Sequence, residues 1–205
     1  MIELADVTNM SKRGTQAALQ RVGEGLFVRV RSAAGFALVD LLFVCGIIGI
    51  LSSIALPRLM TARGAATSAS AIGSLRVIGS GQVAFAITCG AGFYAPTLSK
   101  LAKPPAGASE GFLKGDLGAG DVTVKSGYQF ELIATPYGGA PDTCNALGTG
   151  QTGLAFKVRG DPLDVTNNAR YFATNANNVI WEDVASLFGG IPEAGDAPSG
   201  HPIKY

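Results

Sequence analysis

The chain has 205 residues, a formal net charge of +1 and 47% hydrophobic content, which allows one globular domain plus appendages. The near-neutral charge gives no electrostatic case for nucleic acid, and one His and three Cys are too few for most metal sites. With 28 Gly and 10 Pro, many residues must lie in turns and loops.

Residues 1–35 are basic. Lys12, Arg13, Arg21, Arg29 and Arg31 stand against Glu3, Asp6 and Glu24, a net charge of +2, whereas residues 36–205 carry eleven basic and twelve acidic side chains, net −1. Leu19, Val22, Leu26 and Val30 fall on one side of a weak amphipathic helix over 16–30. One reading of this segment is a solvated basic tail. The other is a leader, whose true start is either Met1 or Met10.

Residues 36–56 follow: 21 residues with one charge, Asp40. As a helix they measure about 31 Å, enough to cross a hydrocarbon core of roughly 30 Å. Arg29 and Arg31 precede the run and Arg58 follows it. A basic segment before a single span keeps the N-terminus cytoplasmic and sends the rest outward. Asp40 is costly in lipid, by about 2.5–3.5 kcal/mol on insertion scales, and so needs a partner. Pro57 closes the apolar run without ending the helix, and bends or loosens it. Gly46, Gly49 and Ser53, three and four apart, make a small-residue face that allows close helix approach in lipid. The bland alternative is a lone anchor with incidental glycines.

Gly35, then Phe36, then an acid at the fifth position counted from Phe36, then Leu41-Leu42-Phe43-Val44, Gly46-Ile47-Ile48-Gly49-Ile50-Leu51 and Ile54-Ala55-Leu56-Pro57: this order resembles the N-terminal signature of type IV pilins and type II secretion pseudopilins. The family usually has Glu where this chain has Asp40. The resemblance implies a leader of residues 1–35, cut between Gly35 and Phe36 by a prepilin peptidase that also methylates the new amine of Phe36. It implies helices that leave the bacterial inner membrane and stack as a filament core. There Asp40 pairs with the Phe36 amine of an adjacent subunit, and an assembly platform with its cytoplasmic ATPase drives the stacking. The competing reading is an ordinary secretory signal cut after Ser53-Ile54-Ala55, which releases a secreted binding domain. Lipidation at Cys45 is disfavoured because Leu42-Phe43-Val44 lacks the small residues such a site needs.

Residues 58–88 continue the helix on the outer side. Ile72, Leu75, Ile78, Val83 and Phe85 recur at helical spacing and predict a stripe packed on a sheet. Gly73, Gly79 and Gly81 each weaken a helix by about 1 kcal/mol relative to Ala, so they mark either close packing or local looseness. Two helices meeting near Gly64 is the alternative.

Residues 89–205 read as the exported domain, with a C-terminal tail. Cys89 and Cys144 fall outside the membrane, where disulfides persist, and Cys45 falls within it, so Cys89–Cys144 is the expected bridge. Residues 90–120 are irregular, with a short helix over 97–102 that turns Leu98 and Leu101 inward; in the family this is the variable, displayed segment. The period then becomes two. Tyr128, Phe130 and Leu132 form one strand and Leu154, Phe156 and Val158 another. Tyr171-Phe172-Ala173 and Val179-Ile180-Trp181 make a hairpin around a turn at 174–178. The expected fold is α+β and pilin-like: a long N-terminal helix, its first half transmembrane, packed on a small antiparallel meander. Residues 189–205, with Pro192, Pro198 and Pro202, read as coil.

No catalytic constellation emerges, and no enzyme is expected. His201 sits in a Pro/Gly-rich tail without a nucleophile beside it. Asp161, Asp164, Glu182, Asp183, Glu193 and Asp196 are scattered near the end of the chain where some pseudopilins bind calcium. They form no dense ligand loop, so no metal or other cofactor is expected and calcium stands as a minor alternative. Gly138-Gly139 and Gly148-Thr149-Gly150 are turns, and Trp181 reads as core. The function expected is a structural subunit of a type II secretion pseudopilus, with a type IV pilin as the alternative. The expected partners are other copies of itself, the prepilin peptidase, the assembly platform and membrane lipid.

Overall fold

A computed structural model describes residues 36–203; the expected leader, Gly35, the helix over 16–30 and the last two residues of the tail lie outside them. The described residues belong to two units, one ending at Ser52 and the other beginning at Ser53. Helix α1 (Phe36–Thr88) belongs to both. It runs through Pro57 and Gly64 without a break, so the two-helix alternative falls. Proline gives up one backbone hydrogen bond, while its own carbonyl still accepts one from the Thr61 hydroxyl at 3.1 Å.

In the second unit, α1 packs on a six-stranded antiparallel sheet in the order β1–β6 (Val122–Lys125, Tyr128–Ile133, Lys157–Pro162, Tyr171–Asn175, Ile180–Asp183, His201–Pro202). The architecture is the α+β meander expected. Ser68, Ala71, Leu75, Ile78, Gln82 and Phe85 are buried at three- and four-residue steps, which is one face of a helix. Opposite them, Tyr128, Phe130 and Leu132 of β2, Val158 of β3, Phe172 of β4 and Ile180 of β5 complete the main core. The three helix glycines differ. A Cβ at Gly81 would stand 2.8 Å from the Phe112 carbonyl oxygen, whereas one at Gly73 would meet nothing within 4 Å. Gly81 therefore marks a close backbone approach and Gly73 does not.

Helix α2 (Leu98–Ala102) begins where Thr97 accepts a hydrogen bond from the Lys100 amide, and it buries Leu98 and Leu101 as expected. A 3-10 turn follows at Gly115–Gly118. Cys89 and Cys144 are joined, with Cα atoms 4.9 Å apart, so the end of α1 is tied to the segment before β3.

Two expectations need correction, and one strand is additional. Leu154 is 62% exposed and lies outside any strand, because Gly153 bridges to both Tyr94 and Pro136 and fixes the chain there before β3 starts at Lys157. Strand β1 was not anticipated. The tail is more than coil: His201 and Pro202 pair with Glu182 and Trp181. Residues 184–198 cover the second face of the sheet, where Leu187 and Ile191 pack on Ala173 with Trp181. Asn175 anchors this cover by donating to the carbonyls of Pro192 at 3.1 Å and Gly195 at 2.6 Å.

Candidate functional site: an apolar helical segment with one carboxylate

The chain's most conspicuous surface lies on the first part of α1. Leu38, Leu41, Leu42 and Phe43 are 66–67% exposed, and Ile50, Leu51, Ile54 and Leu56 are 61–67% exposed. The exposed side chains fall on every side of the helix, and none of its most apolar 18-residue window is buried. By length and composition α1 can cross a membrane. A helix that is apolar all round belongs in lipid or among other helices; left in water, each such side chain would forfeit roughly 1.5–3 kcal/mol.

Phe36 is the first helical residue. Asp40 is exposed one turn on, and its carboxylate has no hydrogen-bond or ion-pair partner among the described residues. Gly46 and Gly49 are exposed, and a Cβ at either would meet nothing within 4 Å. They leave a shallow strip along the helix that a second helix can approach. Cys45 is a free, exposed thiol in the same segment. Arg58 and Arg63 follow Pro57 and are exposed.

The acids near the end of the chain are not gathered. Asp161 receives Arg159 at 3.0 Å and Ser186 at 2.8 Å. Asp164 caps its own loop through the amides of Thr166 and Asn167. Glu193 accepts from the Thr135 amide and hydroxyl. Glu182 takes a two-pronged contact from Arg170, and that hydrogen bonding holds its carboxyl below the usual carboxylate range despite the opposing effect of burial. Among the described residues no group of three or more His, Cys, Asp or Glu is placed to hold a metal ion. His201 is exposed, 3.9 Å from Glu182.

Two polar arrangements escaped the sequence reading. Arg159 spans Glu131 at 2.6 Å and Asp161 at 3.0 Å on the second sheet face. Burial alone would lower this guanidinium's pKa, but the bonds to Asp161 and Glu131 outweigh it and raise the pKa. Alternation along β2 and β3 marks the polar face, but the register that sets Glu131 opposite Arg159 leaves no local signal. The other is a cavity of about 310 Å³ between α1 and the segment after β3, lined by Met60, Arg63, Tyr128, Asp164 and Asn168 among others. It holds no nucleophile paired with a base.

No protein-family model, curated protein or solved structure matches this chain.

Proposed function

We propose that this chain is the precursor of a pilin-like filament subunit, most specifically of a type II secretion pseudopilus. What carries the reading is one helix with two environments. Residues 37–56 expose apolar side chains on all sides around a single acid, and the same helix from Ser68 onward is the packing face of a sheet domain. An anchor alone would need the first feature only. In this reading a prepilin peptidase cuts after Gly35 and methylates Phe36. The subunit waits in the bacterial inner membrane as a single-pass protein, leader inward and sheet domain outward. An assembly platform and its ATPase then stack it with copies of itself, and Asp40, Gly46, Gly49 and Pro57 lie in the helix–helix core. The chain's part is structural rather than enzymatic. The single disulfide ties Cys89 to Cys144 instead of closing a loop at the C-terminal end, which favours a pseudopilin over an adhesive or DNA-uptake pilin.

Mass spectrometry of the mature N-terminus from membranes tests this. N-methylated phenylalanine at position 36 is the expected result. A terminus just after Ala55 would assign the chain to the secreted class, and an uncut chain still carrying residues before Gly35 would overturn the processing step.

A further inference from the structure

Contacts between the sheet and α1 step down the helix toward the apolar segment. A Cβ on Gly160 would lie 3.6 Å from Leu75. The Tyr128 hydroxyl meets Ser68 at 3.1 Å. The Asn168 amide donates to the Gly64 carbonyl at 3.2 Å. Finally, Asp164 and Met60 line one cavity. The loop over 163–168 thus reaches the level of Met60, four residues past Leu56, or about 6 Å along the axis. The headgroup layer beyond each face of the hydrocarbon is roughly 5–7 Å thick.

What this end of the unit presents suits that layer. Leu163 is 56% and Val165 52% exposed in the loop, and on α1 Leu59 is 53% and Met60 57% exposed. Arg63 is exposed and has no ion-pair partner among the described residues. The one acid of the loop, Asp164, is turned onto its own backbone by the Thr166 and Asn167 amides. The loop is also held: Asn168 Nδ2 lies 2.9 Å from the Tyr128 hydroxyl and 3.0 Å from that of Ser68, and the Leu163 amide donates to Gly127 at 2.9 Å. Ordering it against another surface therefore costs little further entropy.

We infer that, while the chain is anchored, this end of the sheet unit rests on the bilayer surface. Leu163 and Val165 sit at the boundary of headgroups and acyl chains, and the Arg63 guanidinium lies beside a lipid phosphate. Apolar side chains and cations at that depth are both favourable. The inference rests on the membrane reading above and adds a second lipid contact to it.

The test uses the full chain in vesicles of phosphatidylethanolamine and phosphatidylglycerol. It carries Cys45→Ser, keeps the Cys89–Cys144 bridge, and bears one fluorophore introduced through Leu51→Cys, Val165→Cys or Thr149→Cys. All three sites are exposed, so the label need not disturb the core. Nitroxide lipids report depth. We expect headgroup nitroxides to quench the Val165 label at least about twofold more than the Thr149 label, as burial of some 5–10 Å requires. Equal quenching at these two sites, with the Leu51 label quenched by acyl-chain nitroxides, overturns this inference and leaves the anchor intact. A Leu51 label that stays accessible to water overturns both.

Discussion

Gln82 is fully buried in the apolar stripe of α1. Its amide donates to the Ala95 carbonyl at 2.7 Å and accepts from the Ala95 amide at 2.9 Å, so one side chain satisfies both backbone groups of a residue buried in a loop. A hydrogen bond present in both states is worth little, but a buried group left unpaired loses its full solvation. Gln82→Leu keeps the volume and strands both Ala95 groups. We expect a loss of about 2–4 kcal/mol, read as a lower urea midpoint at unchanged slope. A change under 1 kcal/mol would show that the loop relaxes to find other partners.

At the scale of elements, the Cys89–Cys144 bridge joins residues 55 apart in sequence and closes the intervening segment, with α2 and the first two strands, onto the end of α1. In the chain-entropy model such a loop contributes about 4 kcal/mol. The double substitution Cys89→Ser/Cys144→Ser should lower stability by about that much, with Cys45→Ser as a neutral control. If urea unfolding shifts equally little for both, the bridge does not restrain the unfolded chain in this way.

The elements also show which signals in a sequence survive folding. The α1 stripe and the strands at Tyr128, Phe172 and Ile180 were legible because burial follows their apolar periodicity. Strand β1 was not. Its valines, Val122 and Val124, are 47% and 56% exposed while Thr123 is buried, so the apolar alternation points to the wrong face. The usable signal was the turn: Ser126 and Gly127 both adopt positive φ, 52° and 79°, the geometry of a two-residue hairpin. The order of the tail is hidden in the sequence for another reason. Leu187, Ile191 and Ala197 have no period of their own, and their burial depends on the second face of β4 and β5, at Ala173 and Trp181. In the candidate site, the apolar run, Asp40 and the two glycines stand in consecutive sequence and were readable. The Asn168 contacts that set the loop against Gly64 join residues 104 apart and were not.

For the whole molecule the decisive residue is Asp40, because the two stages proposed for the chain pull on it in opposite directions. Alone in lipid it raises the cost of the span, by at most about 2.5–3.5 kcal/mol, the value for a charge at the centre of a spanning helix. Set against a neighbour's N-terminal amine in a water-poor filament core, the same charge becomes attractive, and removing one member of such a pair costs about 3–5 kcal/mol. Asp40→Ala should therefore insert at least as well as the natural chain while its filament yield falls a hundredfold or more, the equivalent of about 3 kcal/mol per contact. Asp40→Glu keeps the charge on a longer arm and should assemble. Vesicle insertion and the sedimentable fraction, measured on the same preparations, separate the two effects. If Asp40→Ala forms filaments as readily as the unaltered chain, charge pairing does not hold the subunits. The small-residue strip at Gly46 and Gly49 would then have to set their stagger by packing alone.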